Sequence, residues 1–426
     1  MENLLTKRNI IIAGVVIVII IGALVWFGLK NGTGTEDGGF FGLFPWAPPG
    51  SSKPGFETSQ KPGFFPPGGV SPGGEQPFTP EAAQNLPVGT LIRLSSDNIS
   101  SLVGVGTTSV KYHKNIPENL GHLFERRADG TNEEKRISNF TIPQVLRVVW
   151  APDGKKAVVF YNLDNQIRKL LIDYATTTPK TSFLPDSISD IAFSPDSKSL
   201  VFINNLPASP SQGGGDSQNI FASTADFKNQ RKIFDNNVPG FEISWPAANT
   251  IALKTKSSYG ARGFIYALNA STGAPASPSQ GGFNKVAEGL GLDAIWNSDG
   301  SGTLYSVSDA DGNLLNLKFV DAKTGATKEF SVKTIAEKCA FSKTRKNLVY
   351  CAVPDNPQQA KYPDAWWQGK VTFRDDFVSI DVSSGQTSVL VSAKADATQP
   401  RVLSDDSWLL FRDKSSGNLW SLKLKL

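Results

Sequence analysis

The chain has 426 residues, with 43 Lys or Arg against 39 Asp or Glu, so its formal net charge is only +4. No basic stripe or recognition motif accompanies this scattered charge, which excludes nucleic acid as an expected partner. Two cysteines and two histidines exclude a clustered zinc site and a disulfide-rich framework. The length allows one large domain or two to three ordinary ones.

An uncharged run near the N-terminus, Ile10 to Leu29, is preceded by basic residues. In an α-helix, twenty apolar residues span the roughly 30 Å hydrocarbon core of a bilayer. A cleaved signal peptide would have a shorter apolar stretch, about 7 to 15 residues, followed by a small-residue cleavage site. We therefore predict a cytoplasmic N-terminus at residues 1–8 and a single-pass transmembrane signal-anchor helix at residues 9–30. The rest of the chain is expected outside the cell membrane.

Residues 31–88 are rich in Gly, Pro and Phe and show no apolar periodicity. Such a composition predicts a disordered linker that holds a folded domain away from the membrane. An alternative is that its phenylalanines contact lipid headgroups or a partner.

A recurring unit follows the linker. It is a hydrophobic run ending in an aromatic residue, a short polar turn and a second hydrophobic run, as in VVWAPDGKKAVVFY from residue 148 and IAFSPDSKSLVFI from residue 191. Alternating apolar residues around a Pro-Asp-Gly-type turn predict an antiparallel hairpin. A third strand follows each hairpin, and a fourth follows most of them. This four-stranded meander is typical of a β-propeller blade.

Six such units are clear, and a weaker one, with strands near SLVGV and SVKYHK, precedes them. The last unit contains only three strands, and the segment LIRL at residues 91–94 supplies a fourth that closes the ring. We predict an all-β fold at residues 89–426, a seven-bladed β-propeller. Six blades remain an alternative if the first unit is only a closing elaboration.

The units resemble the WD40-like repeats of the TolB family and of the propeller domains of dipeptidyl peptidase IV relatives. The resemblance is carried by Trp150-Ala-Pro-Asp-Gly-Lys, Phe193-Ser-Pro-Asp-Ser-Lys and the segment that begins with Ser306-Val-Ser-Asp-Ala-Asp-Gly-Asn. It implies a propeller fold but no particular activity. The units at Trp245 and Leu403 depart from the pattern.

The octapeptide PASPSQGG occurs twice, at residues 207–214 and 275–282. It has no large apolar residue to bury, so it does not define the repeat. The first copy is predicted between the second and third strands of its blade, and the second copy between the third and fourth strands of the next. The two loops are therefore expected on opposite faces.

No catalytic residue, metal site or cofactor is predicted. A hydrolase domain with a G-x-S-x-G nucleophile elbow, as in the peptidase relatives, is absent from the sequence. His113 and His122 are interpreted as surface or blade-edge residues. The stretch from Asp309 to Asn313 lacks the glutamate of an EF-hand and is interpreted as a tight turn.

The longest insertion, PDNPQQAKYPDAWWQGKVTFRDD, lies between the second and third strands of the sixth unit. Aromatic side chains beside charged groups are typical of binding hot spots. The candidate partner-binding residues are Tyr362, Trp366, Trp367, Arg374, Asp375 and Asp376. The alternative is that this loop folds back to plug the channel or to cover a blade edge.

Cys339 and Cys351 lie at the two ends of one predicted hairpin. If Phe341 faces Val349, the two cysteines are directly opposed, at a distance that a disulfide accepts. An extracytoplasmic domain favours oxidation, so we predict a disulfide bond. The alternative is two buried thiols.

These observations favour a monomeric binding or scaffolding propeller at the cell surface, not an enzyme. Its partner is expected to be a protein, a peptide or a cell-envelope component. The alternative is a propeller enzyme, a hydrolase or lyase, with its active site at the central channel. A pocket lined by three or more titratable side chains would favour the enzyme.

Overall fold

The computed structural model describes residues 69–70, 85–206, 217–235, 240–271, 284–313 and 315–425. The predicted transmembrane segment, most of the predicted linker and both octapeptides lie outside these residues. Within them, no helix has the length and apolarity needed to cross a membrane.

The described residues form seven antiparallel sheets, the blades of a β-propeller. Two strands precede the first complete blade: β1 (Gly69–Val70) and β2 (Leu91–Ser95). Blade 1 contains β3 (Ile99–Val105), β4 (Ser109–Lys114), β5 (Leu123–Arg127) and β6 (Lys135–Arg136). Blade 2 contains β7 (Val145–Trp150), β8 (Lys156–Leu163), β9 (Gln166–Asp173) and β10 (Lys180–Leu184). Blade 3 contains β11 (Ile188–Phe193), β12 (Ser199–Leu206), β13 (Ser217–Thr224) and β14 (Arg231–Phe234).

The remaining blades follow the same order. Blade 4 contains β15 (Phe241–Ala247), β16 (Thr250–Thr255), β17 (Arg262–Asn269) and β18 (Asn284–Leu290). Blade 5 contains β19 (Asp293–Trp296), β20 (Gly302–Ser308), β21 (Leu315–Asp321) and β22 (Thr327–Phe330). Blade 6 contains β23 (Cys339–Phe341), β24 (Leu348–Pro354), β25 (Asp375–Asp381) and β26 (Thr387–Ala395). Blade 7 contains β27 (Ala397–Val402), β28 (Trp408–Asp413) and β29 (Leu419–Lys423) together with β2.

Three short helical segments accompany the strands. Two are 3₁₀ helices, Pro117–Asn119 and Ala336–Lys338, and the third is the α-helix α1, Asp364–Trp367. Both Ala336–Lys338 and α1 belong to blade 6, where they border the candidate site described below.

The ring closes through pairing of distant parts of the chain. Strand β2 pairs antiparallel with β29, with Leu91 opposite Leu422, and β1 adds to β2 in parallel. This closure gives blade 7 its fourth strand and removes two open sheet edges. It confirms the predicted role of residues 91–94, and the six-bladed alternative is wrong.

Local sequence explains the hairpins. In blade 2, Val148 faces Val159 and Trp150 faces Ala157 across a turn that contains Gly154. Gly154 has a φ of +65°, and a Cβ there would lie 2.6 Å from Val105 Cγ2 of blade 1. Only glycine fits at this position, because the positive φ disfavours other residues and a Cβ would collide with the neighbouring blade.

Apolar side chains fill the spaces between blades. Leu102 and Tyr112 of blade 1 share a buried cluster with Leu403 and Leu410 of blade 7, and similar clusters join other neighbours. First strands of successive blades adjoin: β3 with β7, β7 with β11, β11 with β15, β19 with β23, β23 with β27, and β27 with β3. These first strands line the central channel.

Candidate functional site

Five consecutive blades carry a charged residue at the same position of the repeat. This residue stands three positions before the aromatic residue that leads into the first turn of the blade. It lies in the first half of the innermost strand or, in blade 6, directly before that strand. We call this end of the channel the entry end. The residues are Arg147, Asp190, Glu242, Asp293 and Lys338, and we call them the charged ring.

The first part of the charged ring links blades 2, 3 and 4. The Arg147 guanidinium lies 2.5 Å from the Asp190 carboxylate. The other oxygen of Asp190 accepts a hydrogen bond of 2.8 Å from the backbone N–H of Ile243. Asp190 is buried but the Arg147 side chain is 45% exposed, so water screens the ion pair more than it screens the hydrogen bond from Ile243.

The second part links blades 4, 5 and 6 through Lys254. Its ammonium group lies 3.2 Å from Glu242 and 2.8 Å from Asp293. The second Asp293 oxygen accepts a hydrogen bond of 2.7 Å from the backbone N–H of Glu337. Burial lowers the pKa of Lys254, but the Asp293 and Glu242 carboxylates outweigh burial and hold this pKa above its usual value. Lys254 is therefore protonated at neutral pH.

A cavity of about 190 Å³ opens between these groups. It is lined by the titratable side chains of Arg147, Asp190, Glu242 and Lys254, with Trp296 forming part of the wall. Four titratable side chains exceed the three that we set as the feature favouring an enzyme. Residues of the first strands of blades 2 to 5 line the cavity together with residues of β16 and β17, so it lies between blades beside the channel.

Glu337 adds an acid–base group beside this cavity. It lies in the 3₁₀ helix Ala336–Lys338, and burial, reinforced by the Asp293 carboxylate, raises its pKa from 4.5 to about 7. The Trp367 indole N–H donates a 2.9 Å hydrogen bond to the Glu337 carboxylate and, with Lys254, offsets part of this rise. A carboxyl group whose pKa is raised toward neutral pH can serve as a general acid or base.

The long insertion of blade 6 contains the predicted partner-binding residues, and part of it is packed inside the fold. Tyr362 and Trp366 are 1% and 2% exposed. They share a buried cluster with Leu315, Ile335 and Phe373. The Trp366 and Phe373 rings stack with centroids 6.0 Å apart. This part of the loop follows the alternative that we kept open, in which it folds back onto the blades.

Asp375 belongs to a buried ionic group. Lys338 lies 2.8 Å from Asp375 and 2.9 Å from Asp396, and all three side chains are excluded from solvent. Trp366 donates its indole N–H to Asp396 at 2.8 Å. Burial raises the pKa of Asp375 to about 6, although Lys338 opposes the rise. The group joins blades 6 and 7 and gives Trp366 a structural role.

The other three predicted residues reach solvent. Trp367 is 38% exposed, Arg374 is exposed, and Asp376 is partly exposed while it accepts a 2.5 Å hydrogen bond from Ser392. Partner binding through these side chains stays a prediction. The structure adds that Trp367 also contacts Glu337 of the channel site.

Other residues singled out in the sequence lie away from this site. His113 is fully buried, so its interpretation as a surface or blade-edge residue is wrong. It contacts the Ser101 and Tyr174 hydroxyls, each at 2.9 Å, and burial lowers its pKa to about 3. A neutral, enclosed imidazole of this kind is a packing element. Within the described residues, no group of three or more His, Cys, Asp or Glu is placed to hold a metal ion.

Two further predictions concern a disulfide bond and a tight turn. Cys339 faces Cys351 in the register of β23 and β24, and a disulfide bond joins them. The segment from Asp309 to Asn313 forms a tight turn, in which Asp309 accepts a 2.7 Å hydrogen bond from the backbone N–H of Asn313.

Comparison with known proteins supports the fold. No family model matches the chain, and no curated protein matches it in sequence. An oligogalacturonate lyase from Vibrio parahaemolyticus is similar with a TM-score of 0.54 at 10% identity, over 79% of this chain and 93% of the lyase. An oligogalacturonate lyase in complex with manganese has a TM-score of 0.53 at 11% identity, over 79% of this chain and 98% of the lyase. TolB from Acinetobacter baumannii is similar with a TM-score of 0.39 at 15% identity, over 64% and 60% of the two chains.

These comparisons overturn the expectation that the chain is not an enzyme. That expectation relied on the absence of a hydrolase domain beside the propeller. In the two lyases, however, the similarity to this chain covers nearly the whole enzyme. A propeller of this form can therefore be a complete enzyme without such a domain. At these identities the likeness shows the fold, and the chemistry must be argued from the channel site.

Proposed function

We propose that this chain is a propeller enzyme, a lyase or hydrolase, with its active site at the entry end of the central channel. The observation that carries the proposal is Glu337, an acid with a pKa of about 7 beside a cavity lined by titratable side chains. A pKa near the working pH is the condition under which general acid–base catalysis is most effective.

The surrounding groups define distinct roles. Glu337 is assigned the proton transfer, because burial and the Asp293 carboxylate raise its pKa to about 7 and its carboxylate is held in place by Trp367. Lys254 is protonated and stabilises negative charge that develops on the substrate. Asp293 and Trp367 are positioning residues: Asp293 accepts the Glu337 backbone N–H, and Trp367 donates to the carboxylate.

The proposed substrate class is an acidic oligosaccharide. The two similar lyases act on oligogalacturonate, whose sugar units carry carboxylates. In this chain Arg147 and Lys254 line the cavity, but each is paired with a carboxylate of the protein, so the substrate class is proposed from the two similar lyases and a substrate carboxylate would have to compete with these pairs. Outside the membrane, an acidic oligosaccharide would be a cell-envelope component, one of the partner classes that the sequence predicts.

The test is an activity assay on oligogalacturonate and other uronate oligosaccharides. A lyase produces an unsaturated product that absorbs in the ultraviolet, whereas a hydrolase produces new reducing ends without that absorbance. Glu337→Gln should lower kcat by about 100-fold or more, since a general acid or base contributes that much. The matched control is Glu329→Gln, which changes an exposed glutamate of blade 5 and should retain activity. Equal activity of Glu337→Gln and the unchanged protein would contradict the proposal.

We also propose that residues 9–30 anchor the protein in the cell membrane with the propeller outside. The uncharged run from Ile10 to Leu29 and its basic N-terminal flank support this location. The protein should sediment with membranes, and protease added outside intact cells should cleave it beyond residue 30. Recovery of a soluble mature form that lacks the first thirty residues would contradict the anchor.

A further inference from the structure

We propose a second ligand site, in a groove between blades 2 and 3, that binds a multiply charged anion bearing sulfate, phosphate or carboxylate groups. The groove has a volume of about 730 Å³, within the size range of ligand sites. Side chains of both blades line it. The lysines among them are Lys156, Lys180, Lys198 and Lys228.

The charges of the groove do not cancel. Lys156 pairs with Asp173, and Lys228 lies 3.1 Å from Asp226. These are the two carboxylates among the lining residues, so four lysines leave an excess of two positive charges.

The excess belongs to Lys180 and Lys198. Neither ammonium group is within ion-pair distance of a carboxylate in the part of the chain that the structure describes, although Lys180 lowers the pKa of Asp173 and Lys198 that of Asp196 from farther away. Thr181, Ser182 and Ser197 also line the groove, and their hydroxyl groups offer hydrogen bonds to a bound anion. Two unpaired ammonium groups beside hydroxyl donors are the chemistry that recognises sulfate, phosphate or carboxylate.

The backbone that carries these lysines is fixed. The Asp153 backbone N–H of blade 2 donates a 3.0 Å hydrogen bond to the Ser197 hydroxyl of blade 3. The Ala225 N–H donates to the Lys198 carbonyl at 2.9 Å, and the Thr224 hydroxyl donates to the Lys228 carbonyl at 2.9 Å. The two sides of the groove are thus held together before a ligand arrives, which lowers the entropic cost of binding.

The groove lies at the opposite end of the strands from the charged ring. In blade 3 its residues come from the β11–β12 turn and from the region of the β13–β14 turn. In blade 2 they come from the start of β8, the end of β9 and the start of β10, which lie on the same side. The charged ring lies toward the starting ends of the first strands, whereas the groove lies at the turns that follow these strands, so the two are toward opposite faces. The groove is therefore separate from the channel site and does not rest on the proposed enzyme activity.

The experiment is isothermal titration of the full-length protein in detergent with three probes. These are inorganic tripolyphosphate, a sulfated oligosaccharide and a uronate oligosaccharide of the same length. The variant Lys180→Gln/Lys198→Gln should bind the preferred probe about tenfold more weakly, since it loses two ionic contacts. The matched control, Lys323→Gln/Lys346→Gln, removes two exposed lysines elsewhere and should bind like the unchanged protein.

The outcomes separate this site from the channel. Glu337→Gln should leave the affinity of the groove for the tripolyphosphate probe unchanged, even where activity is lost. Preference among the three probes identifies the anionic group. Equal affinity of Lys180→Gln/Lys198→Gln and the unchanged protein, equal weakening by the control pair, or no binding of any probe at millimolar concentration would overturn the proposal.

Discussion

Glu337 shows how a single residue links the fold to chemistry. In the folded protein its pKa is raised from 4.5 to about 7, mainly by burial and then by Asp293. Between these two pH values the folded state keeps the proton and the unfolded state releases it. This group therefore favours folding below about pH 4.5, and its contribution is lost as the pH rises to about 7. Above that pH, the ionised carboxylate destabilises the folded state.

Replacing Glu337 by a neutral residue should remove this destabilisation. We predict that Glu337→Gln raises the melting temperature at pH 8 and changes it little at pH 4.5, because glutamine has no charge to desolvate. Circular dichroism melts at the two pH values measure the effect, with Glu329→Gln as the control. A lower melting temperature of Glu337→Gln at pH 8 would mean that the ionised carboxylate stabilises the fold.

The neighbouring tryptophans Trp366 and Trp367 should differ in their effect on stability. Trp366 is 2% exposed and donates to the buried Asp396 carboxylate. Its replacement by Ala should cost about 3–5 kcal/mol of unfolding free energy. Trp367 is 38% exposed, and Trp367→Ala should cost less than about 1 kcal/mol. Urea unfolding of the two single variants makes the comparison, and equal losses would contradict the assigned packing.

At the scale of the element, hairpins could be predicted from sequence and contacts between blades could not. Cys339 faces Cys351 because both belong to one hairpin, whose register follows from the local pattern. The ionic contacts of Arg147 with Asp190 and of Lys254 with Asp293 join different blades. The two residues of each pair are 39 or more positions apart in the sequence.

The sequence nevertheless contained a signal for the charged ring. A charged residue stands three positions before the aromatic residue in five successive units. The aromatic residue defines the repeat, and the charged residue keeps a constant spacing from it in these units. The packing of the blade 6 insertion had no such signal, since Trp366 contacts Leu315 and Ile335 from outside its own loop.

The disulfide is a property of a single hairpin and can be tested as such. Cys339 and Cys351 are bonded in the structure, so unfolded, unreduced protein should contain no cysteine that reacts with an alkylating reagent. Reduction should destabilise the protein by about 3 kcal/mol, since the bond restricts the unfolded chain. Mass measurement and urea unfolding with and without reductant give the two answers. The control is Cys339→Ala/Cys351→Ala, whose stability should not respond to reductant. Two alkylatable cysteines in the unreduced protein would contradict the bond.

At the scale of the molecule, ring closure positions the channel site. Residues from blades 2 to 6 build the charged ring, and the Lys338 group continues the contacts into blade 7. If one blade were displaced, its charged residues would move away from the residues that they contact on the next blade. A site assembled from several blades in this way depends on closure of the ring.

The closing strand provides the test at this scale. Strand β2 places Leu91 and Ile92, both almost fully buried, in the clusters that join blade 7 to its neighbours. A variant lacking residues 1–84 keeps β2 and should unfold in one cooperative transition. A variant lacking residues 1–96 loses β2, leaves β29 with an open edge and exposes these clusters, so it should melt at a clearly lower temperature or fail to fold. Because both variants lack residues 1–84, the comparison isolates the closing strand. If the two variants have the same melting temperature and the same chemical-denaturation midpoint, the ring does not depend on β2 for closure.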